Sequence, residues 1–223
     1  MKYDIRYRPA FATIFLTLNP GESITAEAGA MVSMDADLKI KTQFSGGFFS
    51  ALMRKFFGGE SLFVNIFQNS TNRPLNLVLS QNMIGDIEAM KLDGSNTLCL
   101  QPGAYIAHSP GAKMGVSWAG FSSWFAGEGL FKLKFSGNGR VLFGCYGGIT
   151  HKEIDGEFIV DTSHLVGYSQ GITMSVGLSG GLISSLTSGE GFVSRLKGKG
   201  MILMQSRSVS GLVGFLSPKT RRR

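Results

Sequence analysis

The feature that most constrains the fold is a short motif that occurs three times along the chain. Gly59-Glu60, Gly127-Glu128 and Gly189-Glu190 each begin a Gly-Glu-small-apolar-apolar pattern, at spacings of 68 and 62 residues. Copies so far apart are not local low complexity. Internal repetition on this scale indicates one structural unit copied along the chain, and it determines how the remaining motifs are interpreted.

Two further blocks precede each copy of the motif in the same order. One is a six-residue block at 29–34, 103–108 and 163–168; the other is a turn at 19–21, 93–94 and 155–156. We therefore predict a single domain, 1–216, of three units near 19–91, 92–154 and 155–216, followed by a basic tail, 217–223.

The local patterns are typical of an all-β protein. Glycine accounts for 31 of 223 residues while 43% are apolar, which fits many short strands joined by tight turns. The run 131–135 alternates apolar residues with Lys132 and Lys134, so we expect the lysines to coat the solvent face. Asn138-Gly139 between apolar runs predicts a hairpin turn, and 195–200 repeats this arrangement. The prediction is three tandem antiparallel repeats forming one β-sandwich or double-stranded β-helix-like domain.

Each unit also carries a short apolar insert just before its Gly-Glu turn. The first insert has the spacing of one face of a short helix; the first two contain the candidate contact residues Phe48, Phe49, Leu52, Met53, Phe56, Phe57, Trp118, Phe121, Trp124 and Phe125. In the third unit the apolar residues are Leu178, Leu182, Ile183 and Leu186. These inserts either pack at sheet ends or between subunits, or dock onto a membrane surface or an apolar partner.

No pattern of catalytic or ligand-binding residues is evident. The three histidines lack metal-site spacing, no phosphate-binding glycine loop is present, and Cys99 and Cys145 fit buried free thiols. We predict a protein that is not an enzyme, with no cofactor and no metal. The residues Gly59, Glu60, Gly127, Glu128, Gly189 and Glu190 are interpreted as structural turns, with a carboxylate rim for cations or a basic partner as the alternative.

The net charge of +7 is concentrated at one end of the sequence. Lys219, Arg221, Arg222 and Arg223 contribute +4, leaving +3 for the other residues. Such a tail is either solvated or contacts a polyanion or anionic lipid. The N-terminus lacks the apolar core of a signal peptide, and the uncharged stretch 162–189 is too polar for a membrane span. We expect a cytoplasmic protein, or one peripheral to a membrane.

Three segments resemble the altered inheritance of mitochondria family: 26–32, 56–63 and Pro102-Gly103. The resemblance covers roughly 1–216. It implies a fold similar to the tryptophan RNA-binding attenuation protein, with three structural repeats and assembly as a homotrimer. Mitochondrial members are linked to inner-membrane organisation, whereas bacterial members have no established biochemical activity. The resemblance supplies no catalytic residues.

Together these observations favour a non-enzymatic binding or scaffold protein that associates with itself and with a membrane surface or membrane-bound partner. Two alternatives stay open. One is a nucleic-acid-binding ring, suggested by fold analogy and the basic tail, although fold analogy is weak support and nucleic acid is not the favoured partner. The other is a small-molecule binder or enzyme that uses a pocket between repeats.

Overall fold

The fold is given by a computed structural model of the chain, and the structure describes residues 1–44, 63–118, 131–178 and 192–220. The described residues form sixteen β-strands, two short 3-10 helices at 102–104 and 162–164, and one α-helix. The all-β class is therefore confirmed. The strands are β1 (Lys2–Arg6), β2 (Thr13–Leu18), β3 (Ser23–Glu27), β4 (Met31–Met34), β5 (Lys39–Phe44), β6 (Phe63–Gln68), β7 (Leu75–Ser80), β8 (Ile87–Asp93), β9 (Leu98–Leu100), β10 (Tyr105–His108), β11 (Ala112–Trp118), β12 (Phe131–Gly144), β13 (Ile149–Asp161), β14 (Leu165–Ser169), β15 (Ile172–Leu178) and β16 (Phe192–Gln205); the helix is α1 (Val209–Thr220).

The strands form two antiparallel sheets. The smaller has the order β1-β2-β7-β4. The larger follows the path β13-β16-β14-β9-β12-β10-β3-β6-β5, with β8 and β11 also paired to β12 and β15 to β16. Because most strands pair with partners distant in sequence, the sheets bring the whole described chain together.

Three apolar cores lie between these strands. The first joins β2 and β7 of the smaller sheet to β3, β6 and β10 of the larger one, with Leu16 and Phe67 almost completely buried. The second centres on β9, β10 and β12 and includes Tyr105 and Phe135. The third lies between β13, β14 and β16 and includes Leu196 and Ile202. The alternating burial of β2 and β7 shows why period-two apolar residues form these layers.

The hairpin predicted at Asn138-Gly139 is wrong, because β12 continues through it as one 14-residue strand. Its first half pairs with β9 and β11, and its second half pairs with β8 and β10. Glycine is required at two positions near this change of partner. Gly137 of β12 has a φ of +93°, and a Cβ on Gly111, just before β11, would lie 1.8 Å from the carbonyl oxygen of Asn138. These glycines permit the close approach of the two strands and do not reverse the chain. The repeated arrangement at 195–200 likewise lies inside the continuous strand β16.

The prediction that both lysines of β12 face solvent is correct for Lys134 and wrong for Lys132. Lys132 is buried, with its Nζ 2.6 Å from the sulfur of Met174 and 5.3 Å from the ring centre of Tyr168. Met174 and Tyr168 belong to β15 and β14, so a later part of the chain covers this face of β12. An aromatic ring and a thioether are partners that accept a cation at a partly apolar site.

Two similar connections carry the chain between groups of strands. The backbone N–H of Ala12 donates to the carbonyl of Gly85 at 3.1 Å, and that of Asp86 donates to the carbonyl of Gly147 at 2.8 Å. A Cβ at Gly85 would lie 2.0 Å from the carbonyl oxygen of Cys145, so only glycine permits this approach. The segments entering β2, β8 and β13 therefore lie side by side.

The helix α1 crosses the predicted boundary between residues 216 and 217. The sequence pattern does not predict it, because Gly211, Gly214 and Pro218 are poor helix formers. None of the helices in the described part of the chain combines the length and hydropathy needed to cross a bilayer.

Candidate functional site

Most of the residues predicted to form a contact surface lie outside the described residues. Trp118 is placed by its backbone as the last residue of β11. The others predicted for contact, and the residues of the three Gly-Glu turns, fall in 45–62, 119–130 and 179–191. These are Phe48, Phe49, Leu52, Met53, Phe56, Phe57, Phe121, Trp124 and Phe125, with Gly59, Glu60, Gly127, Glu128, Gly189 and Glu190.

The strands that flank these three segments have one common arrangement. In each case the strand before the segment pairs antiparallel with the strand after it: Phe44 lies opposite Phe63, Trp118 opposite Phe131, and Leu178 opposite Phe192. Each apolar insert therefore leaves and re-enters the fold at neighbouring positions of a two-stranded stem.

The helix α1 exposes an apolar surface in the described part of the chain. Its large apolar residues are exposed, with Phe215 62% accessible. They are Val209, Leu212, Val213, Phe215 and Leu216. No acidic residue lies in the first turn, and the residues from 219 onward include four with positive charge. A helix that presents apolar side chains beside a basic segment can contact an apolar or anionic surface.

A cleft of about 540 Å³ lies beside the start of α1. Its walls come from several parts of the chain, including Gln81, Cys145 and Gln205. A volume of this size falls within the range of small-molecule sites, roughly 300–1,000 Å³.

Two amide side chains of the cleft, those of Gln81 and Gln205, are already engaged by backbone groups. Gln81 Nε2 donates to the carbonyl of Cys145 at 2.9 Å. Gln205 Nε2 donates to the carbonyl of Ser163 at 2.8 Å, while its Oε1 accepts from the backbone N–H of Tyr146 at 2.9 Å. These amides hold the walls in place, so they are less available for orienting a ligand.

The cysteines have thiol environments unsuited to nucleophilic attack. Both are free, as the sequence predicts; Cys145 is buried and Cys99 is half-buried. Desolvation raises the pKa of Cys145 to about 11, and it also raises the pKa of Cys99. Because the thiolate is the reactive form, both side chains are protonated and weakly nucleophilic at neutral pH.

A buried polar pair occurs on β10. Tyr105 Oη lies 2.7 Å from His108 Nδ1 and also donates to the carbonyl of Thr25 at 3.2 Å. Burial lowers the pKa of His108 to about 4 and raises the pKa of Tyr105. His108 is therefore neutral at pH 7. It contacts Tyr105 within β10, and the hydrogen bond from Tyr105 to Thr25 joins β10 to β3. The spacing of the three histidines along the sequence does not predict this contact.

A charged cluster near β8 was also missed by the sequence analysis. Arg8 makes two hydrogen bonds of 2.7 and 2.8 Å to Asp86. Glu88 lies 3.5 Å from Arg8 and 2.7 Å from Nε2 of His151. Hydrogen bonding of the Arg8 guanidinium to the Asp86 carboxylate is the main cause that raises the pKa of Arg8. No motif signals this cluster, because its members are up to 143 residues apart along the sequence.

The described residues contain no group of three or more His, Cys, Asp or Glu side chains arranged to hold a metal ion. The polar side chains with resolved partners at β8, at β10 and in the cleft mainly join strands to one another.

Comparison with known proteins gives relatives over nearly the full sequence. An uncharacterised protein of Streptococcus pyogenes serotype M6 is 27% identical over 225 residues, which cover 97% of this chain and 90% of that protein. An X-ray crystal structure of a Streptococcus pyogenes protein is similar with a TM-score of 0.80 and 26% identity, covering 98% of this chain and 99% of that one. A family model matches residues 3–207, and its match confirms the resemblance found in the sequence: the chain belongs to the mitochondrial biogenesis AIM24 family.

Proposed function

We propose that this protein is a non-enzymatic scaffold that attaches to the surface of a membrane containing anionic lipids. The observation that carries the proposal is the apolar surface of α1, formed by Val209, Leu212, Val213, Phe215 and Leu216. Exposed apolar surface of this kind commonly marks an interaction site.

The size and charge of this region fit an interfacial contact. A 12-residue helix is about 18 Å long, which suits a helix lying in the plane of the headgroups. Lys219 and the three arginines 221–223 supply four positive charges. Stable peripheral binding generally needs two signals, and here an apolar helix face is followed by a basic segment.

The three apolar inserts are proposed as further contacts with the same surface. Support comes from the sequence and from the paired stems at Phe44–Phe63, Trp118–Phe131 and Leu178–Phe192. A two-stranded stem would restrict the position of each insert, which lowers the entropic cost of docking.

We further propose that the three predicted units are copies of one fold unit, in the arrangement implied by the resemblance to the tryptophan RNA-binding attenuation protein. Strands β4, β10 and β14 support this, because each pairs with a later strand of its own unit and each pairing shifts register at the same place. The hydrogen bonds Ala12–Gly85 and Asp86–Gly147 give a second match, because the segments that enter β2 and β8 are held in the same way.

Vesicle flotation tests the membrane proposal. We expect the parent chain to float with phosphatidylcholine vesicles that contain phosphatidylglycerol, and the double variant Leu212→Ser/Phe215→Ser to lose most of this binding. Ile84→Ser is the matched control, because Ile84 is an apolar residue outside α1 that is about as exposed as Phe215. A parent chain that does not float, or a double variant that floats like the parent, would contradict the role of α1.

A charge variant separates the two signals. Arg222→Ala should lower partitioning onto the anionic vesicles about fivefold, because each basic residue near such a surface contributes about 1 kcal/mol. The same variant should leave the weaker binding to pure phosphatidylcholine unchanged.

Phe49→Ser/Phe56→Ser tests the first insert in the same assay. An unchanged partition coefficient would remove that insert from the proposed contact.

A further inference from the structure

In the described part of the chain, two strand edges lack a neighbour that the matching strands of the other units have. Among the described strands, β4 pairs with β7, and the second half of β13 (157–161) pairs with 193–197 of β16; neither has a strand on its other side. An unpaired strand edge offers a row of backbone donors and acceptors to another strand.

In the other units, the strands that match these two edges pair with each other within the chain. β10 pairs antiparallel with β3, placing Ala107 opposite Ala26. β14 pairs antiparallel with β9, placing Gly167 opposite Leu100. These two junctions join the first unit to the second and the second to the third, and they give a template for a third junction.

The open edges correspond to the partners in these junctions. The shared register shift makes Ser33 of β4 equivalent to Ala107 of β10 and Gly167 of β14. The partner edges correspond in the same way. Each has a residue opposite the third residue of β6, β12 or β16: Ala26 opposite Asn65, Leu100 opposite Leu133, and Val160 opposite Ser194. Val160 is therefore equivalent to Ala26 and Leu100.

Side chains on the two open edges are more exposed than the equivalent side chains on paired edges. Val32 on β4 is 60% exposed, whereas its equivalents Ile106 and Val166 are each 1% exposed. On β13, Ile159 is 49% exposed. The residues of β4 carry no charge and no proline, so β4 lacks two of the usual features that protect an edge from pairing.

We propose that β4 of one chain pairs antiparallel with 157–161 of β13 in a second copy of this chain. The internal junctions fix the register: Ser33 lies opposite Val160, and Met34 lies opposite Ile159. The occupant is a second copy because no other described strand of the same chain pairs with either edge. Joining one edge to a different edge is a head-to-tail contact, so successive copies form a closed ring or a filament.

This inference rests on the three-unit architecture proposed above and not on membrane binding. The two proposals therefore fail separately. Loss of flotation with intact assembly would remove the membrane contact, and loss of assembly with intact flotation would remove the strand pairing.

A disulfide variant tests the register. In the β14–β9 junction the backbone N–H of Gln101 donates to Val166 and that of Gln170 donates to Thr97. The pair Leu100–Gly167 then falls at a non-hydrogen-bonded position, where opposite side chains lie closer together. The equivalent pair is Ser33 and Val160. We expect Ser33→Cys/Val160→Cys to form covalent dimers and larger species on mild oxidation, and either single variant to form none.

Two results of this experiment would overturn the proposal. One is a disulfide that forms within a single chain, since it would show that the edges close on each other. The other is a folded double variant that forms no disulfide at all. Mass analysis under non-reducing conditions distinguishes these results from the expected ladder of linked chains.

Edge-blocking variants give a second test that does not depend on new cysteines. By light scattering the parent should have a mass of two or more 24.0 kDa chains. Val32→Lys and Ile159→Lys should each reduce it to the single-chain mass, because lysine on an edge opposes pairing. Val213→Lys on α1 is the matched exposed-site control and should keep the parent mass. A parent that has the single-chain mass at every concentration tested would overturn the proposal.

Discussion

Strands β4 and β10 occupy matching places in two repeated sequence blocks, yet their environments are opposite. Both pair with a strand of their own predicted unit, and both show the same register shift. All four residues of β10 are buried, while three of the four in β4 are exposed. The difference is the neighbour: β10 has β3 on its other side. Burial of this strand is thus decided by what lies beside it and not by its own pattern.

The largest predicted effect on the free energy of unfolding comes from placing a charged residue at equivalent positions of β10 and β4. Ile106→Asp should lower the free energy of unfolding by about 4 kcal/mol or more, because it places an unpaired carboxylate in the core. Val32→Asp at a concentration where the chain is monomeric should cost less than about 1 kcal/mol, since the side chain stays in water. Urea unfolding measures both.

The effect of Val32→Asp should also depend on the protein concentration. If β4 is covered in an assembly, the cost of Val32→Asp should grow as the protein concentration rises, because association stabilises the folded parent. Equal costs for Ile106→Asp and Val32→Asp in the monomer would show that the exposed and buried strands do not differ as described.

The second effect is a pH dependence specific to β10. The pKa of His108 is about 4 in the folded protein, below its ordinary value of 6.5. As the pH falls below 6.5, the unfolded chain binds a proton that the folded chain does not, so stability is lost, by about 3 kcal/mol near pH 4. His108→Gln should remove this part of the slope in urea unfolding measured between pH 7 and pH 4.

Met34→His is the matched variant on β4. Its imidazole would occupy the same place in the block without a strand beside it, so it should add little pH dependence. A parent slope that survives in His108→Gln would mean that other groups cause the acid sensitivity.

The third effect concerns the hydroxyl of Tyr105. Tyr105→Phe should cost about 1 kcal/mol, because it removes one buried hydrogen bond to Thr25 and a contact with His108. The equivalent residue in β4 is Met31, which is exposed. Met31→Leu should leave the urea unfolding midpoint unchanged within experimental error. A neutral Tyr105→Phe would indicate that the buried pair contributes nothing to joining β10 and β3.

The smallest effect is expected at α1. Deletion of residues 211–223 should shift the melting temperature by less than about 2 °C, because the apolar side chains of the helix are exposed. Calorimetry in the absence of lipid checks this. A shift as large as that of Tyr105→Phe would show that α1 stabilises the sheet and is not mainly a contact surface.

The sequence predicts much of the strand pattern but not where strands end. The apolar alternation in 131–135 marks part of β12 correctly, whereas Asn138-Gly139 suggests a hairpin that is absent. A glycine bend inside a strand and a hairpin turn have the same local residues. They differ in the strands on either side, and here β8 and β10 take over from β9 and β11.

The candidate site was harder to predict for a similar reason. Residues three apart in a regular strand point to opposite faces, so Tyr105 and His108 should not meet. The register shift between Tyr105 and Ala107 changes this alternation, and the two side chains come within hydrogen-bonding distance. The charged cluster of Arg8, Asp86 and Glu88 depends on chain connections that no short motif contains.

The length of β12 and β16 affects how local unfolding spreads through the molecule. Each is a single 14-residue strand that pairs with three or more others. When one partner strand detaches, β12 or β16 stays hydrogen-bonded to its other partners. Thermal fluctuations therefore detach the outer strands before they disrupt β12 and β16. Amide protons along both strands should therefore exchange with solvent at similar, slow rates, and the cores they connect should unfold as one cooperative unit.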